Sequence, residues 1–102
     1  MAQIDPLLVH VKENDGSDLH LVAEQPPRIR AKGAIQAIEG QGVLTNDALR
    51  AMMQEVAPAR AWEEYEDTGD LDFAFSLDGV ARFRANFFIQ ASGAACVFRI
   101  IP

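Results

Sequence analysis

Several arginines lie on segments that alternate like β-strands, and these residues are the best placed for chemistry. Arg82 and Arg84 stand two positions apart in the segment 79–90, and Arg28 and Arg30 have the same spacing earlier in the chain. Side chains two positions apart on a strand point to the same face of a sheet. Because neighbouring guanidinium groups repel, each pair must lie in water, pair with acids or face an anion such as phosphate.

Arg99 extends this pattern onto the last predicted strand of the chain. A predicted turn at Ser92-Gly93 makes that strand antiparallel to the one that holds Arg82 and Arg84. Alternation places the Arg99 side chain opposite that of Cys96. From spacing alone, the polar outer face of an antiparallel sheet is the favoured interpretation. An anion site built from several strand arginines is the less favoured alternative.

The other reactive side chains form no recognisable catalytic arrangement. Cys96 lies within an apolar strand, where a small core residue is favoured over a nucleophile. His10 and His20 lack the spacing of metal ligands, so we predict no metal site. Neither glycine-rich nucleotide-binding motif is present. An acidic run is most simply a solvated surface, or alternatively a docking surface for a basic partner or for the chain's own arginines; its members are Glu63, Glu64, Glu66, Asp67, Asp70 and Asp72.

The elements that must position the arginines follow one another in a clear order. Apolar residues at helical spacing predict helices from Asp5, from Thr45 or Asn46, and over 59–66. Period-two alternation and turn residues predict strands over 18–22, 28–31, 34–38, 71–77, 79–90 and 97–101. Phe73 is a predicted core residue. The order α-β-β-β-α-α-β-β-β, with hairpins between most strands, predicts an α+β fold in which helices cover an antiparallel sheet of about six strands.

Composition limits the classes of protein to which the chain can belong. Its 102 residues suffice for one domain with one modest core. The net charge of −6 argues against nonspecific binding to nucleic acid or to an anionic membrane surface. No apolar stretch is long enough to span a membrane, and the N-terminus does not have the pattern of a secretory signal. A single cysteine fits a reducing cytoplasm.

Three segments, taken together in their order and spacing, point to a family. They are 17–21 (Ser-Asp-Leu-His-Leu), 26–33 (Pro-Pro-Arg-Ile-Arg followed by Gly33), and 79–86 (Gly-Val-Ala-Arg-Phe-Arg-Ala-Asn) continuing to 98–102 (Phe-Arg-Ile-Ile-Pro). As a set they closely resemble the N-terminal domain of the type IV pilus retraction ATPases, the PilT/PilU branch of the secretion ATPase superfamily. The resemblance covers almost the whole chain.

This resemblance implies a single PAS-like α+β domain over residues 1–102, followed after Pro102 by a RecA-like ATPase domain. The whole protein would be a cytoplasmic homohexamer at the inner face of the inner membrane, driving pilus retraction and twitching motility with ATP and Mg²⁺. Each N-terminal domain would pack on ATPase domains of its own and neighbouring subunits, with the pilus platform protein an indirect partner and nucleic acid not a partner. By position, Arg84 and Arg99 match the family's phosphate-approaching arginines, and Arg82 is a neighbouring candidate.

Two alternatives remain open from the sequence. The chain could be a stand-alone PAS-like module that binds a small molecule or a protein, or the same domain from a pilus-extension or type II secretion ATPase. Because residues 1–102 have no Walker lysine or acidic motif, we expect this domain alone to have no ATPase activity and no bound cofactor. The encoded sequence after Pro102 discriminates between a motor and a stand-alone module.

Overall fold

The computed structural model describes residues 2–102, which form three helices and six strands. The helices are α1 (Asp5–Glu13), α2 (Asn46–Val56) and α3 (Ala59–Thr68). The strands are β1 (Gly16–Val22), β2 (Arg28–Ala31), β3 (Ala34–Ala37), β4 (Leu71–Leu77), β5 (Ala81–Gln90) and β6 (Gly93–Ile101). The order of elements is the predicted one, and the α+β prediction is confirmed. No helix within residues 2–102 has both the length and the apolar character needed to cross a membrane.

All six strands belong to one antiparallel sheet with the order β3-β2-β1-β6-β5-β4. Hairpins join β2 to β3 and β4 to β5, as the turn residues predict. In the first hairpin, Lys32 and Gly33 both have positive φ, 52° and 79°, as a tight two-residue turn requires. The centre of the sheet is different, because β1 and β6 come from opposite ends of the chain and pair Asp18 with Arg99 and Leu21 with Cys96.

One face of the sheet forms the core with all three helices. Along β5, Phe83, Ala85 and Phe87 are buried on this face. The helices contribute buried apolar side chains to the same cluster, among them Leu8, Met53, Trp62 and Tyr65. The opposite face of β5 is exposed at Arg82, Arg84 and Asn86. The sheet therefore has one apolar covered face and one largely solvated polar face, which displays the arginines.

The structure differs from the predictions in several local details, one of which is that β5 begins at Ala81 and not at residue 79, because residues 78–80 form the preceding turn. The sequence Asp5-Pro6 suggests Asp5 as the N-cap of α1 with Pro6 at the first helical position. In the structure Ile4 occupies the N-cap position, and the Asp5 carboxylate accepts a hydrogen bond from the backbone N–H of Ala2 at 3.1 Å. Strand β6 begins at Gly93, so the preceding turn is formed by residues 91 and 92. Phe73 points towards the core but is only half-buried, because β4 is an edge strand with a neighbour on one side.

Candidate functional site

Arg84 and Arg99 lie directly opposite each other on the polar face of the sheet. Arg84 on β5 is the register partner of Arg99 on β6. On its other side Arg99 pairs with Asp18 of β1, and Asp18 pairs with Arg30 of β2. Opposed residues of an antiparallel pair have Cβ atoms about 4.5–5.5 Å apart. Four neighbouring strands therefore present a continuous line of charged side chains, the arginine row, made of Arg30, Asp18, Arg99 and Arg84.

The guanidinium of Arg84 forms a two-pronged ion pair with the carboxylate of Asp72. Arg84 Nε donates to Asp72 Oδ1 at 3.2 Å, and Arg84 Nη2 donates to Asp72 Oδ2 at 2.8 Å. These hydrogen bonds hold the pKa of Asp72 below its usual value and raise that of Arg84 further. Both side chains are well exposed, 69% for Arg84 and 46% for Asp72, so water screens the pair strongly. A stronger anion can replace Asp72 at little cost.

The ion pair of Arg99 has a different character, because its carboxylate is buried. Arg99 Nη2 donates to Asp18 Oδ2 at 3.3 Å. The Asp18 side chain is only 4% exposed, whereas that of Arg99 is 70% exposed. A buried carboxylate is costly unless a cation or hydrogen-bond donors compensate it. Asp18 therefore anchors Arg99, while most of the guanidinium remains accessible to a ligand above the sheet.

His20 lies beside Asp18 on the same face of β1. Its Nε2 atom is 3.6 Å from Asp18 Oδ2. This nitrogen is buried and has no hydrogen-bond partner within the described residues 2–102. Burial lowers the pKa of His20, the nearby Asp18 partly opposes that effect, and the positive charges of Arg30 and Arg99 lower it further. The neutral imidazole is therefore favoured in this state of the domain.

These side chains line one open cavity of about 480 Å³ on the polar face. Its lining residues are Asp18, His20, Arg30, Asp72, Arg84, Asn86, Val97 and Arg99. Arg82 is on the same face of β5 but lines a separate depression at the β4–β5 turn, and its register partners are Ser76 and Ile101. The structure thus brings Arg84 and Arg99 together and leaves Arg82 to one side.

Sequence reasoning singled out the arginines and named Asp72, within the acidic run, as a possible partner for them, but it did not identify Asp18 as the carboxylate that holds Arg99. Asp72 belongs to the predicted acidic run. The loop between β4 and β5 has three residues, 78–80, so Leu77 pairs with Ala81 and Asp72 becomes the diagonal neighbour of Arg84. A two-residue turn at Asp78-Gly79 would place Asp72 and Arg84 on opposite faces of the sheet, so the turn residues do not predict this pair. The Asp18–Arg99 contact has no comparable local signal, because 81 positions separate the two residues.

The remaining candidates behave as structural residues. Cys96 is fully buried in β6, and burial raises the pKa of its thiol, so it is a core residue as predicted. The acidic run is exposed, and two of its members do contact the chain's own arginines: Asp72 contacts Arg84, and Glu66 accepts from Arg50 at 2.8 Å. Within residues 2–102 the His, Cys, Asp and Glu side chains form no group of three suited to a metal ion.

A comparison of sequences and a comparison of folds with known proteins identify the same family. The type IV pilus retraction ATPase PilT of Pseudomonas aeruginosa is 37% identical over 99 residues, which are 97% of this chain. A crystal structure of the pilus retraction motor PilT with bound ADP superposes on the whole chain with a TM-score of 0.88 at 29% identity. The chain is an N-terminal domain of the PilT family. It spans only 28% of the Pseudomonas PilT and 29% of the crystallised PilT chain.

A more distant neighbour of this PilT-family domain shares the fold. The ATPase DotB of Legionella pneumophila superposes on 97% of the chain with a TM-score of 0.82 at 19% identity, a likeness that concerns the fold alone. No family model matches the sequence. Family membership therefore rests on the PilT sequences and on the PilT crystal structure.

Proposed function

We propose that this domain is part of a hexameric, cytoplasmic motor ATPase that drives type IV pilus retraction and twitching motility. In this proposal a RecA-like ATPase domain follows Pro102 and supplies the site for ATP and Mg²⁺. Support comes from two PilT relatives, one described as a pilus retraction ATPase and the other as a pilus retraction motor with bound ADP. The chain spans less than a third of each. The motor would act at the inner face of the inner membrane and reach the pilus platform protein through its other subunits.

The observation that carries the proposal is the cross-strand pair of Arg84 and Arg99. Both side chains are about 70% exposed, and both belong to strands that have a neighbour on each side in the sheet. Their opposition on β5 and β6 matches the several anionic oxygens of a nucleoside triphosphate, to which guanidinium groups donate paired hydrogen bonds. We propose that they approach the nucleotide phosphates held by an ATPase domain of the same or the neighbouring subunit, with Arg82 in a supporting position.

The domain's contribution to catalysis would be electrostatic. Negative charge develops on the phosphoryl oxygens as the terminal phosphate is transferred, and a positioned guanidinium stabilises that charge. A second consequence is nucleotide sensing. A domain whose arginines bind phosphate closes preferentially when the phosphate is present, so the nucleotide biases the packing of subunits in the ring.

The decisive experiment measures ATP turnover of the full-length protein after Arg84→Ala or Arg99→Ala. We expect kcat to fall by about 10- to 1,000-fold for either variant, since one positioned charge is removed from the transition state. The thermal unfolding temperature should change little for Arg84→Ala, because its ion pair with Asp72 is solvent-exposed. Arg60→Ala is the matched control, since Arg60 is an exposed arginine on α3, away from the polar face of the sheet.

Unchanged turnover of both variants in intact hexamers would refute the phosphate role. The existence of the ATPase domain has its own test, which is the encoded sequence after Pro102. A Gly-x-x-x-x-Gly-Lys-Ser/Thr motif in that region supports the motor. Its absence would leave a stand-alone module that binds a small molecule or a protein.

A further inference from the structure

Asp18 is an unusual member of the arginine row because it is a buried carboxylate held by a largely exposed partner. Its residue is 3% exposed. It receives one side-chain hydrogen bond within residues 2–102, from Arg99 Nη2 at 3.3 Å. Arg30, its register partner on β2, is exposed. The compensation of a buried negative charge thus depends on a guanidinium that is itself largely in water.

The proposed function creates a conflict at this point. If a phosphate binds Arg99, the guanidinium can no longer neutralise Asp18 to the same degree. Leaving a buried charge without its partner is strongly unfavourable. Strong binding of a phosphate to Arg99 therefore requires a second cation that compensates the charge of Asp18.

His20 is the side chain placed to supply that cation. Its Nε2 atom faces Asp18 Oδ2 at 3.6 Å, is buried, and has no hydrogen-bond partner among the described residues. A proton on Nε2 would convert this close approach into a charge-assisted hydrogen bond after a small movement. The other charged groups that face His20 are Arg28 and Arg30 of β2, Arg99 of β6, Arg84 of β5 and Asp72 of β4.

We infer that Asp18 exchanges its partner cation: it pairs with Arg99 while the phosphate site is empty, and with protonated His20 once a phosphate has drawn Arg99 away. This inference rests on the proposed function. The proton comes from solvent and binds Nε2, so the domain gains one positive charge as the phosphate is engaged. Asp18 is therefore a positioning residue. It holds Arg99 in place while the phosphate site is empty, and its pairing with protonated His20 lowers the free-energy cost of releasing Arg99.

The electrostatics of the site agree with this exchange. In the present structure, burial and the charges of Arg30 and Arg99 lower the pKa of His20, and Asp18 opposes them. When phosphate neutralises Arg99, one of the lowering charges is lost and the full charge of Asp18 acts on the imidazole. Both changes raise the pKa of His20, so the imidazole takes up a proton at a pH between its two values.

The test is the pKa of His20 in the full-length protein, measured by mass spectrometry from hydrogen–deuterium exchange at the imidazole C2 position over a pH series. The protein is compared with and without Mg²⁺ and a non-hydrolysable ATP analogue. We expect the analogue to raise this pKa by about one unit or more in the wild-type protein. In Asp18→Asn the rise should be clearly smaller, since only the neutralisation of Arg99 then acts on the imidazole and no buried carboxylate needs a cation. His10, on α1, is the internal control.

An unchanged pKa of His20 on saturation with the analogue would overturn the inference, and it would indicate that Arg30 or water compensates Asp18 instead. The wild-type measurement decides this even if Asp18→Asn fails to fold. Failure of the underlying function looks different: Arg99→Ala would then leave turnover unchanged. If Arg99→Ala lowers turnover while the pKa of His20 stays constant, the phosphate role stands and the exchange of partners does not.

Discussion

At the scale of single residues, Arg84 and Arg99 differ in the free-energy cost of leaving their ion pairs. Arg84 shares an exposed, screened ion pair with Asp72, whereas Arg99 is tied to a buried carboxylate. Releasing Arg84 costs little because water solvates both partners, while releasing Arg99 uncovers the charge of Asp18. A phosphate that approaches the polar face should therefore engage Arg84 first. Arg99 then responds only to a ligand strong enough to displace Asp18.

A residue on the covered face provides a contrasting prediction. Phe87 is fully buried, and its ring centroid lies 5.1–6.4 Å from those of Phe73, Tyr65, Phe98 and Trp62. Phe87→Ala should lower the free energy of unfolding by about 3–5 kcal/mol, because it removes these contacts and leaves a cavity. Urea denaturation of the 102-residue chain measures this. Phe73→Ala, at a half-buried position, should cost clearly less, and equal losses would contradict the burial difference.

At the scale of elements, the sequence predicted the pairings between strands that follow each other closely along the chain. The turn residues Lys32-Gly33 and Asp78-Gly79 identified two hairpins. The turn predicted at Ser92-Gly93 identified a third, but the observed turn at residues 91 and 92 is the one that sets Arg84 opposite Arg99. The β1–β6 pairing has no local signal, since no turn joins these strands. For that reason the sequence could identify the arginines but not the partnership of Arg99 with Asp18. The partial exposure of Phe73 was missed for a similar reason, because only the complete strand order shows that β4 is an edge strand.

Helix α2 shows how a single cap supports an element. The Thr45 hydroxyl accepts a hydrogen bond from the backbone N–H of Ala48 at 3.1 Å, which satisfies a donor at the helix N-terminus. Thr45→Ala should lower the free energy of unfolding by about 1 kcal/mol. Thr45→Ser keeps the hydroxyl and serves as the control in the same urea denaturation. A serine variant as unstable as the alanine variant would show that the hydroxyl is not the cause.

At the scale of the whole molecule, the sheet separates two environments. All three helices cover one face, and the polar face displays cations in a chain whose net charge is −6. The negative charge lies partly in the exposed acidic residues of α3, which include Glu66, whereas Asp72 lies on the polar face beside Arg84. The cavity on the polar face is lined by three arginines and two aspartates, so it can attract an anionic ligand while the molecule as a whole repels polyanions such as nucleic acid.

The stability of the chain should depend on pH through His20. Its pKa is lowered from the usual 6.5 in the folded state, so the unfolded chain binds a proton more readily. Stability is therefore fully present above about pH 6.5 and is lost as the pH falls from that value through the folded pKa. Urea midpoints at a series of pH values measure this. His20→Gln should flatten the decline, and an equally steep decline would show that other groups cause it.

The junction of β1 with β6 also has a consequence for how the domain folds. Strands β1 to β3 and β4 to β6 are each connected by short turns or by residues close in sequence, but the junction joins Asp18 to Arg99, 81 positions away. Closing so long a loop costs chain entropy before any contact is made, so pairings of this kind form late. Arg30 and Asp18 lie on one side of the junction, and Arg99 and Arg84 lie on the other. A partly folded chain thus cannot assemble the arginine row, and only the finished domain carries all four of its charged side chains together.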